Sequence, residues 1–433
     1  MNRRQFLIQT GLLSTSTIMS VGLHGLAVKA AAPKNSKRLI VIFLRGAVDG
    51  LNVIVPYQEA NYYQSRPKIA IPKPGLQGGA IDLDGRFGLH PALIAIAPLW
   101  QQGTLAFAHA CGSPDPTRSH FEAQDYMESG TPGKNKTPDG WMNRLLSVIS
   151  ANSPVQALNG GTSTPRILSG KMAVASFRLG KNASRPIAID KPQIGTAFDR
   201  LYSDSDQLGQ AYRESRAARQ TLLANLDAEM KAANNGAPLA DGFPGDATQL
   251  GRLMARDSSI QLAFLALGGW DTHINQGSSQ GQLAARLRPL GQGLANLVQG
   301  LGDVYSESAI VVISEFGRTV RENGNGGTDH GHGNAMWLLG GNIKGGKVYG
   351  EWPGLDESQL YQKRDLAVTT DFRDVIATLL QSHLRLDGEK VDRVFPGYKS
   401  NRIVGPLSSR IGIMNSLILI SPSKGEAFNQ FFW

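Results

Sequence analysis

The chain of 433 residues carries 44 Lys and Arg against 35 Asp and Glu, a formal net charge of +9, with 41% hydrophobic residues and a single cysteine, Cys111. That apolar content supports a sizeable core in one large domain or two smaller ones, while a lone thiol excludes an intrachain disulfide and an iron–sulfur site. The basic residues are scattered rather than gathered in Lys-rich blocks with interleaved aromatics, so no nucleic-acid partner is expected.

In chain order, residues 1–32 read as a removable export leader. Arg3 and Arg4 precede a mostly apolar run from Phe6 to Ala27, and small residues follow at Ala30, Ala31 and Ala32. A positive start, a modest apolar run and an Ala-x-Ala-like site make a secretory signal, and the arginine pair points to the twin-arginine route. Ser, Thr and Gly interrupt the run, which is marginal for the roughly 20 apolar residues of a membrane span. No stable transmembrane segment is therefore expected in the mature chain. The expected address is the periplasm or the exterior, with the twin-arginine export machinery as a partner. The leader holds Arg3, Arg4 and Lys29 and no acid, which leaves a net charge of +6 on the remainder. That balance suits a small anionic substrate, though weakly.

After a short polar linker, Arg38 to Leu44 is a continuous apolar run with β-branched residues, the pattern of a buried parallel strand. Leu93 to Gln102 reads as a helix and Thr104 to His109 as a second strand, followed by a polar loop and a helix starting near Ser119. Residues 150–245 are less regular: a Ser/Gly/Pro-rich segment, two helical stretches at about 196–216 and 217–234, and a Gly/Pro-rich break. They read as a partly helical insertion. Ile260 to Leu267, Ala309 to Ile313 and Ala335 to Leu339 are further strands, with helices over about Ser279 to Tyr305 and Thr370 to Leu380. The main domain then covers 33–400, and a tail, 401–433, contains an apolar run from Ile411 to Ile420. Strands alternating with helices predict an α/β three-layer sandwich with a mainly parallel central sheet.

Residues of metal-ligand type gather just after the predicted strands. Asp49 follows the first; Asp271 and His273 follow Ile260–Leu267; Glu315 follows Ala309–Ile313; and Asp329, His330 and His332 stand in a glycine-rich loop before the next strand. If the strands are parallel neighbours, all four loops open on one edge of the sheet. In extended chain, residues i and i+2 face the same way, so Asp271 with His273, or His330 with His332, can reach one ion. Imidazole and carboxylate without thiolate suit Zn or Mn, with Mg or Ca where oxygen dominates. Singly, an Asp after a strand is usually a turn or cap residue. Ser119 and Glu122 have the spacing of a capping box, which accounts for both residues structurally. A hydroxyl at a helix start is equally where a nucleophile meets an anionic group. Arg45, Arg118 and Arg318 flank the candidate site as anion clamps or as solvated arginines.

The arginine-pair leader, Leu44 to Asn52, Arg118-Ser-His-Phe121, Gly268 to His273, Ser314 to Arg318 and Thr328 to Gly331 together resemble, in matching order, the exported bacterial family called domain of unknown function 1501. That family in turn is similar, remotely, to the alkaline phosphatase and sulfatase superfamily. The resemblance implies an alkaline-phosphatase-like fold, with Ser119 as nucleophile and Asp49 as a first-strand ligand. It implies Asp271 with His273, and His330 or His332, at one metal site. Glu315 stands where a second site has an Asp followed by His; here Phe316 follows and cannot ligate. The expected function is an exported metal-dependent hydrolase of phosphate or sulfate esters. The alternative is a non-catalytic exported binding or assembly protein that keeps the fold, with or without one metal. A nucleotide-dependent redox enzyme is disfavoured, since no Gly-x-Gly-x-x-Gly follows the first strand.

Overall fold

A computed structural model describes residues 36–134, 137–149, 156–161, 164–177 and 232–398. The leader, the helical stretch 196–216, most of 217–234 and the tail with its 411–420 run lie outside the described residues.

The strands are β1 (Arg38–Leu44), β2 (Ile54–Val55), β3 (Ile81–Asp82), β4 (Gly88–Leu89), β5 (Leu105–Gly112), β6 (Gln156–Gly160), β7 (Ala175–Phe177), β8 (Ile260–Leu267), β9 (Ser308–Ser314), β10 (Asn334–Gly340), β11 (Lys347–Tyr349) and β12 (Thr370–Asp371). The main sheet has the order β11-β5-β10-β9-β1-β8-β6-β7, with β12 also paired to β5; β2, β4 and β3 form a small separate sheet. Within the main sheet every pairing is parallel except those of β10, which runs antiparallel to both β5 and β9. The fold is thus α/β with a mostly parallel central sheet. Two strands of the stretch read as an insertion, β6 and β7, extend this sheet beside β8, so that part of 150–245 belongs to the sheet itself.

Alternation along β1 explains the layers. Ile40, Ile42 and Leu44 enter one core with Leu283, Leu287, Leu290 and Leu294 of the Gln282–Leu301 helix. Leu39, Val41 and Phe43 enter the other with Trp141, Leu145, Val375 and Leu379 of the Trp141–Ile149 and Phe372–Ser382 helices. Side chains of successive strand residues point to opposite faces, so a run that is apolar throughout demands a helical layer on each side.

Element ends differ from the sequence reading for local reasons. The long helix starts at Gln282 rather than Ser279, because Gly281 before it sits at φ +117°, outside helical space. The helix read from Thr370 starts at Phe372, capped by the Asp371 carboxylate, which accepts from the Arg373 amide. Ser119 holds the N-cap position of the His120–Ser129 helix, yet its side chain makes no cap bond. Thr117 replaces the expected box: its Oγ1 donates to Glu122 Oε2 (2.6 Å) and accepts from the Ser119 amide (3.2 Å).

Three histidines away from the loop clusters are buried and neutral. His90, His109 and His383 lie beside the carbonyls of Ser278, Ile54 and Arg38 at 3.1, 2.9 and 3.0 Å, and burial lowers each pKa to about 4. A histidine depressed in the folded state stabilises the fold fully above its unfolded pKa of about 6.5 and loses that contribution as pH falls toward 4, because the unfolded chain takes up the protons. The urea midpoint is expected to hold above pH 7 and to fall between pH 6.5 and 4; a flat profile across that window contradicts the neutral assignment.

Candidate metal centre

The parallel register brings the ends of β1, β8 and β9 level, with Leu44 opposite both Leu267 and Ser314. β10, running the other way, starts at the same edge, so the loops after β1, β8 and β9 and the loop before β10 meet there. Two close approaches seal them. Gly46 lies at φ +114°, where a Cβ would stand 2.7 Å from the Asp271 amide nitrogen, and a Cβ at Gly317 would overlap the Gly333 carbonyl. The 315–333 loop folds back on itself: the Gly317 amide donates to His332 O and the Gly331 amide to Gly317 O (both 2.8 Å). This return carries His330 back beside Arg318.

Asp271 lies at the centre of this cluster. It is fully buried. Its Oδ1 accepts from Arg318 Nη1 (2.6 Å) and lies 2.9 Å from His273 Nε2 and 3.4 Å from His330 Nε2. Its Oδ2 is 3.5 Å from His120 Nε2 and has no hydrogen-bond partner among the described residues. His330 Nε2 stands 3.0 Å from both His120 Nε2 and His273 Nε2. Ligand atoms of His120, Asp271 and His330 all lie within 4.8 Å of one another.

Each of the three rings is held by its other nitrogen. His120 Nδ1 is 2.8 Å from Glu315 Oε1, His330 Nδ1 is 2.9 Å from the Arg118 carbonyl, and His273 Nδ1 is 3.3 Å from Asp329 Oδ1. Carboxylates and carbonyls only accept, so every Nδ1 carries its hydrogen and every Nε2 is turned to Asp271. Phe316 closes one side, its ring 4.9 Å from that of His120 and 5.2 Å from that of His330.

The electrostatics follow from this contact list. For Asp271, burial favours the neutral acid, but the close imidazoles of His120, His273 and His330 and the Arg318 charge outweigh it and hold the carboxyl far below the usual carboxylate range. Burial likewise opposes charge on His120, and the neighbouring carboxylates of Asp271 and Glu315 outweigh it, raising its pKa to about 9. His273 is also raised, against burial, by Asp271 and Asp329, whereas burial wins at His330 and lowers it. Glu315 is lowered: burial is overcome by His120 and Gln124. Asp329 falls to about 2, chiefly through its bond from His273.

The other residues singled out by sequence lie elsewhere or do other things. Asp49 is buried in a two-oxygen pair with Arg66 (Nη1–Oδ2 2.6 Å, Nη2–Oδ1 3.0 Å) and accepts from Gln276 Nε2 (2.6 Å). Glu315 sits behind His120 and also accepts from the Gly46 amide (2.8 Å) and Gln124 Nε2 (3.0 Å). His332 is turned away and stacks on Tyr361, with ring centres 4.6 Å apart. Arg318 spends its donors on Asp271 and on Thr328, both Oγ1 and carbonyl. Arg45 pairs with buried Glu128 (2.5 Å), and Arg118 with Asp365 (2.6 Å). Ser119 is exposed at the helix start, one residue before His120. Sequence reasoning missed His120, although it stands in the Arg118–Phe121 motif; the Ser119–Glu122 spacing drew the attention. It also missed Arg66 and Gln276, which no motif marks.

The donor set fits a divalent ion. Donors about 2.0–2.2 Å from zinc stand about 3.3–3.6 Å apart at the tetrahedral angle. The Nε2 and Oδ separations of 2.9–3.5 Å lie close to that range. An orphaned carboxylate oxygen facing imidazole nitrogens is what such a cation satisfies.

The chain belongs to the family described as protein of unknown function (DUF1501), whose model matches residues 103–395. No curated protein matches it. Among solved structures, it is similar to a protein of the alkaline phosphatase superfamily from Vibrio parahaemolyticus, at 11% identity and a TM-score of 0.38, over 81% of this chain and 66% of that one. It thus spans just under two thirds of that relative's length. It is also similar to the C-terminal periplasmic domain of EcEptC from Escherichia coli in complex with Zn (10% identity, TM-score 0.32, 71% of this chain and 73% of that one). A third is Ps i-CgsB in complex with k-i-k-neocarrahexaose (11%, 0.39, 82% and 74%).

Glu315 offers a direct check on the centre. A partner on the far ring nitrogen sets the tautomer and raises ligand basicity, and losing it weakens metal binding about 10–100-fold. Glu315→Gln is expected to lower zinc affinity by that factor in competition with a chromophoric chelator. Unchanged affinity would remove His120 from the centre.

Proposed function

We propose that the protein is an exported hydrolase of phosphate or sulfate esters that works at a single divalent metal centre, with zinc the expected ion. The observation that carries this reading is the buried, unpartnered Asp271 Oδ2 facing the Nε2 atoms of His120 and His330. A divalent ion held there supplies Lewis-acid polarisation of an ester oxygen. Three protein donors leave a position open for substrate, as catalytic zinc sites do. His273, held through Nδ1 by Asp329, presents Nε2 to the same point and serves as the group that moves a proton. Ser119, exposed at the helix N-terminus beside His120, is the nucleophile of this reading. Beside the centre, a cavity of about 540 Å³ lined by Asp329 and Arg364 among others gives room for the rest of an ester; Arg364 Nη2 donates to the His330 carbonyl (2.7 Å).

The leader motif at Arg3 and Arg4 supports delivery to the periplasm or exterior by the twin-arginine route. No helix among the described residues is long and apolar enough to cross a membrane.

A specific observation favours the second reading, a non-catalytic binding or assembly protein with one metal. Asp49 is consumed by Arg66 and Gln276, and Glu315 by His120, Gln124 and Gly46, so neither carboxylate is left for a second ion.

Elemental analysis of the purified protein, with p-nitrophenyl phosphate and sulfate assays, tests both. The expected result is about one zinc per chain, lost in His120→Ala. Ester turnover is expected to fall by about 100-fold or more in His273→Ala and to background in Ser119→Ala. Stoichiometric metal with silent assays selects the binding protein, and a chain that takes up no divalent metal overturns both.

A further inference from the structure

A second polar cavity opens on the same sheet edge, on the far side of β8 from the metal centre's loops. It holds about 210 Å³ between the ends of β6 and β8, with Arg45, Arg166, Asn159, Thr164 and Asn235 among its lining and Phe264 and Ala266 of β8 as its apolar wall. Two guanidinium groups line it, and among the described residues no carboxylate does. The acids that pair with these arginines stand outside the lining: Glu128 accepts from Arg45 Nη2 (2.5 Å) and Asp125 from Arg166 Nε (2.9 Å).

Arg45 is the informative residue. Its side chain is 6% exposed. Nη1 donates to the Asn235 carbonyl (2.8 Å) and Nη2 to Glu128, but Nε is buried with no partner among the described residues. A buried donor left unpaired is costly, more so on a charged group. Glycine completes the wall. A Cβ at Gly236, which sits at φ +75°, would meet no atom within 4 Å, so the backbone there borders open space. Gly160 and Gly161 likewise put no Cβ between chain and cavity.

We propose that this cavity is an anion-binding site that takes a phosphate or sulfate group on Arg166 and the Thr164 hydroxyl, with the Arg45 charge in its wall. Guanidinium donors and a hydroxyl around a small space suit a compact oxyanion, and the ends of parallel strands are where open α/β sheets bind ligands. The site is independent of whether the metal centre hydrolyses esters. It is joined to that centre by a short relay: Asn235 Nδ2 contacts Gln124 Oε1 (3.4 Å), and Gln124 Nε2 donates to Glu315 (3.0 Å), which holds His120.

Isothermal titration of the purified protein with inorganic phosphate and with sulfate, against chloride at matched ionic strength, tests this. Arg166→Gln is expected to weaken binding about 10–100-fold, the loss of one charged hydrogen-bonding partner. Asp125→Asn, which breaks the Arg166 ion pair and keeps the guanidinium, is expected to retain binding, so a purely structural role for Arg166 is separated from contact with the anion. His120→Ala, which disables the metal centre, is also expected to retain it. No binding of either anion overturns the proposal. So does binding that survives Arg166→Gln and vanishes in His120→Ala, which places the anion on the metal centre and leaves the hydrolase reading standing. A phosphate monoester such as glycerol phosphate then identifies the source: tighter binding than inorganic phosphate assigns the headgroup of a larger ligand, and equal or weaker binding assigns the free ion.

Discussion

Asp271 is an anion with no access to water, at the end of a strand in the middle of the sheet. A buried charge persists only where paired and hydrogen-bonded groups replace its hydration. Arg318 supplies the countercharge and is itself fully buried, fixed by Thr328. Thr328 and Thr272 both donate to Gln276 Oε1, and Gln276 Nε2 donates to Asp49, which Arg66 neutralises. Arg66 in turn holds the carbonyls of Thr319 and Val320. Two buried ion pairs are thus joined by one amide, and together they tie the loops after β1 and β8 to the loop that returns His330. Removing one partner of such a pair leaves an uncompensated charge worth about 3–5 kcal/mol. The loops are therefore rigid because their charges are.

That rigidity gives the histidines their meaning. An imidazole free to turn offers either nitrogen, whereas here Glu315, Asp329 and the Arg118 carbonyl each claim an Nδ1. The carboxylates that look like ligands in the sequence act one step further back, by deciding which nitrogen of each ring faces Asp271. Phe316 belongs to the same design. It cannot bind an ion, but it packs on His120 and His330 and excludes water from their other faces.

The strand-and-loop scheme was legible because β1, β8 and β9 are continuous apolar runs, and such runs declare a strand buried on both faces. Placing Asp49, Asp271 and Glu315 on one edge follows from parallel pairing alone, whereas His330, in the loop before β10, joins them only because β10 runs antiparallel, against the expectation that all four loops follow from parallel neighbours. What the sequence could not reveal is which side chain answers which. Asp49 and Asp271 look alike in the chain, each an acid after a strand near glycine. One is neutralised by Arg66 and the other faces three imidazoles, a distinction that depends on a residue 17 positions downstream of Asp49 in no recognisable motif. His330 and His332 share a facing direction in ideal extended chain, but the return of the 315–333 loop sends one to Asp271 and the other to Tyr361. His120 was hidden for the opposite reason: its neighbours formed a familiar cap pattern, which Thr117 had taken over.

Charge counting ties these points together. Asp271, Glu315 and Asp329 are all held in the ionised form, and Arg318 offsets one of them. The balance is a deficit of two positive charges beside three imidazoles. His120 and His273 are the two rings whose proton affinity is raised, while His330 is lowered. Two imidazolium protons and one divalent cation are alternative ways of meeting the same deficit. The cation meets it better, because it also satisfies Asp271 Oδ2 and turns the short approaches between Nε2 atoms from repulsion into shared coordination. A monovalent ion leaves half the deficit, and a second divalent ion would overshoot it, with Asp49 already paired. The charges gathered around Asp271 are therefore those that one divalent ion would balance.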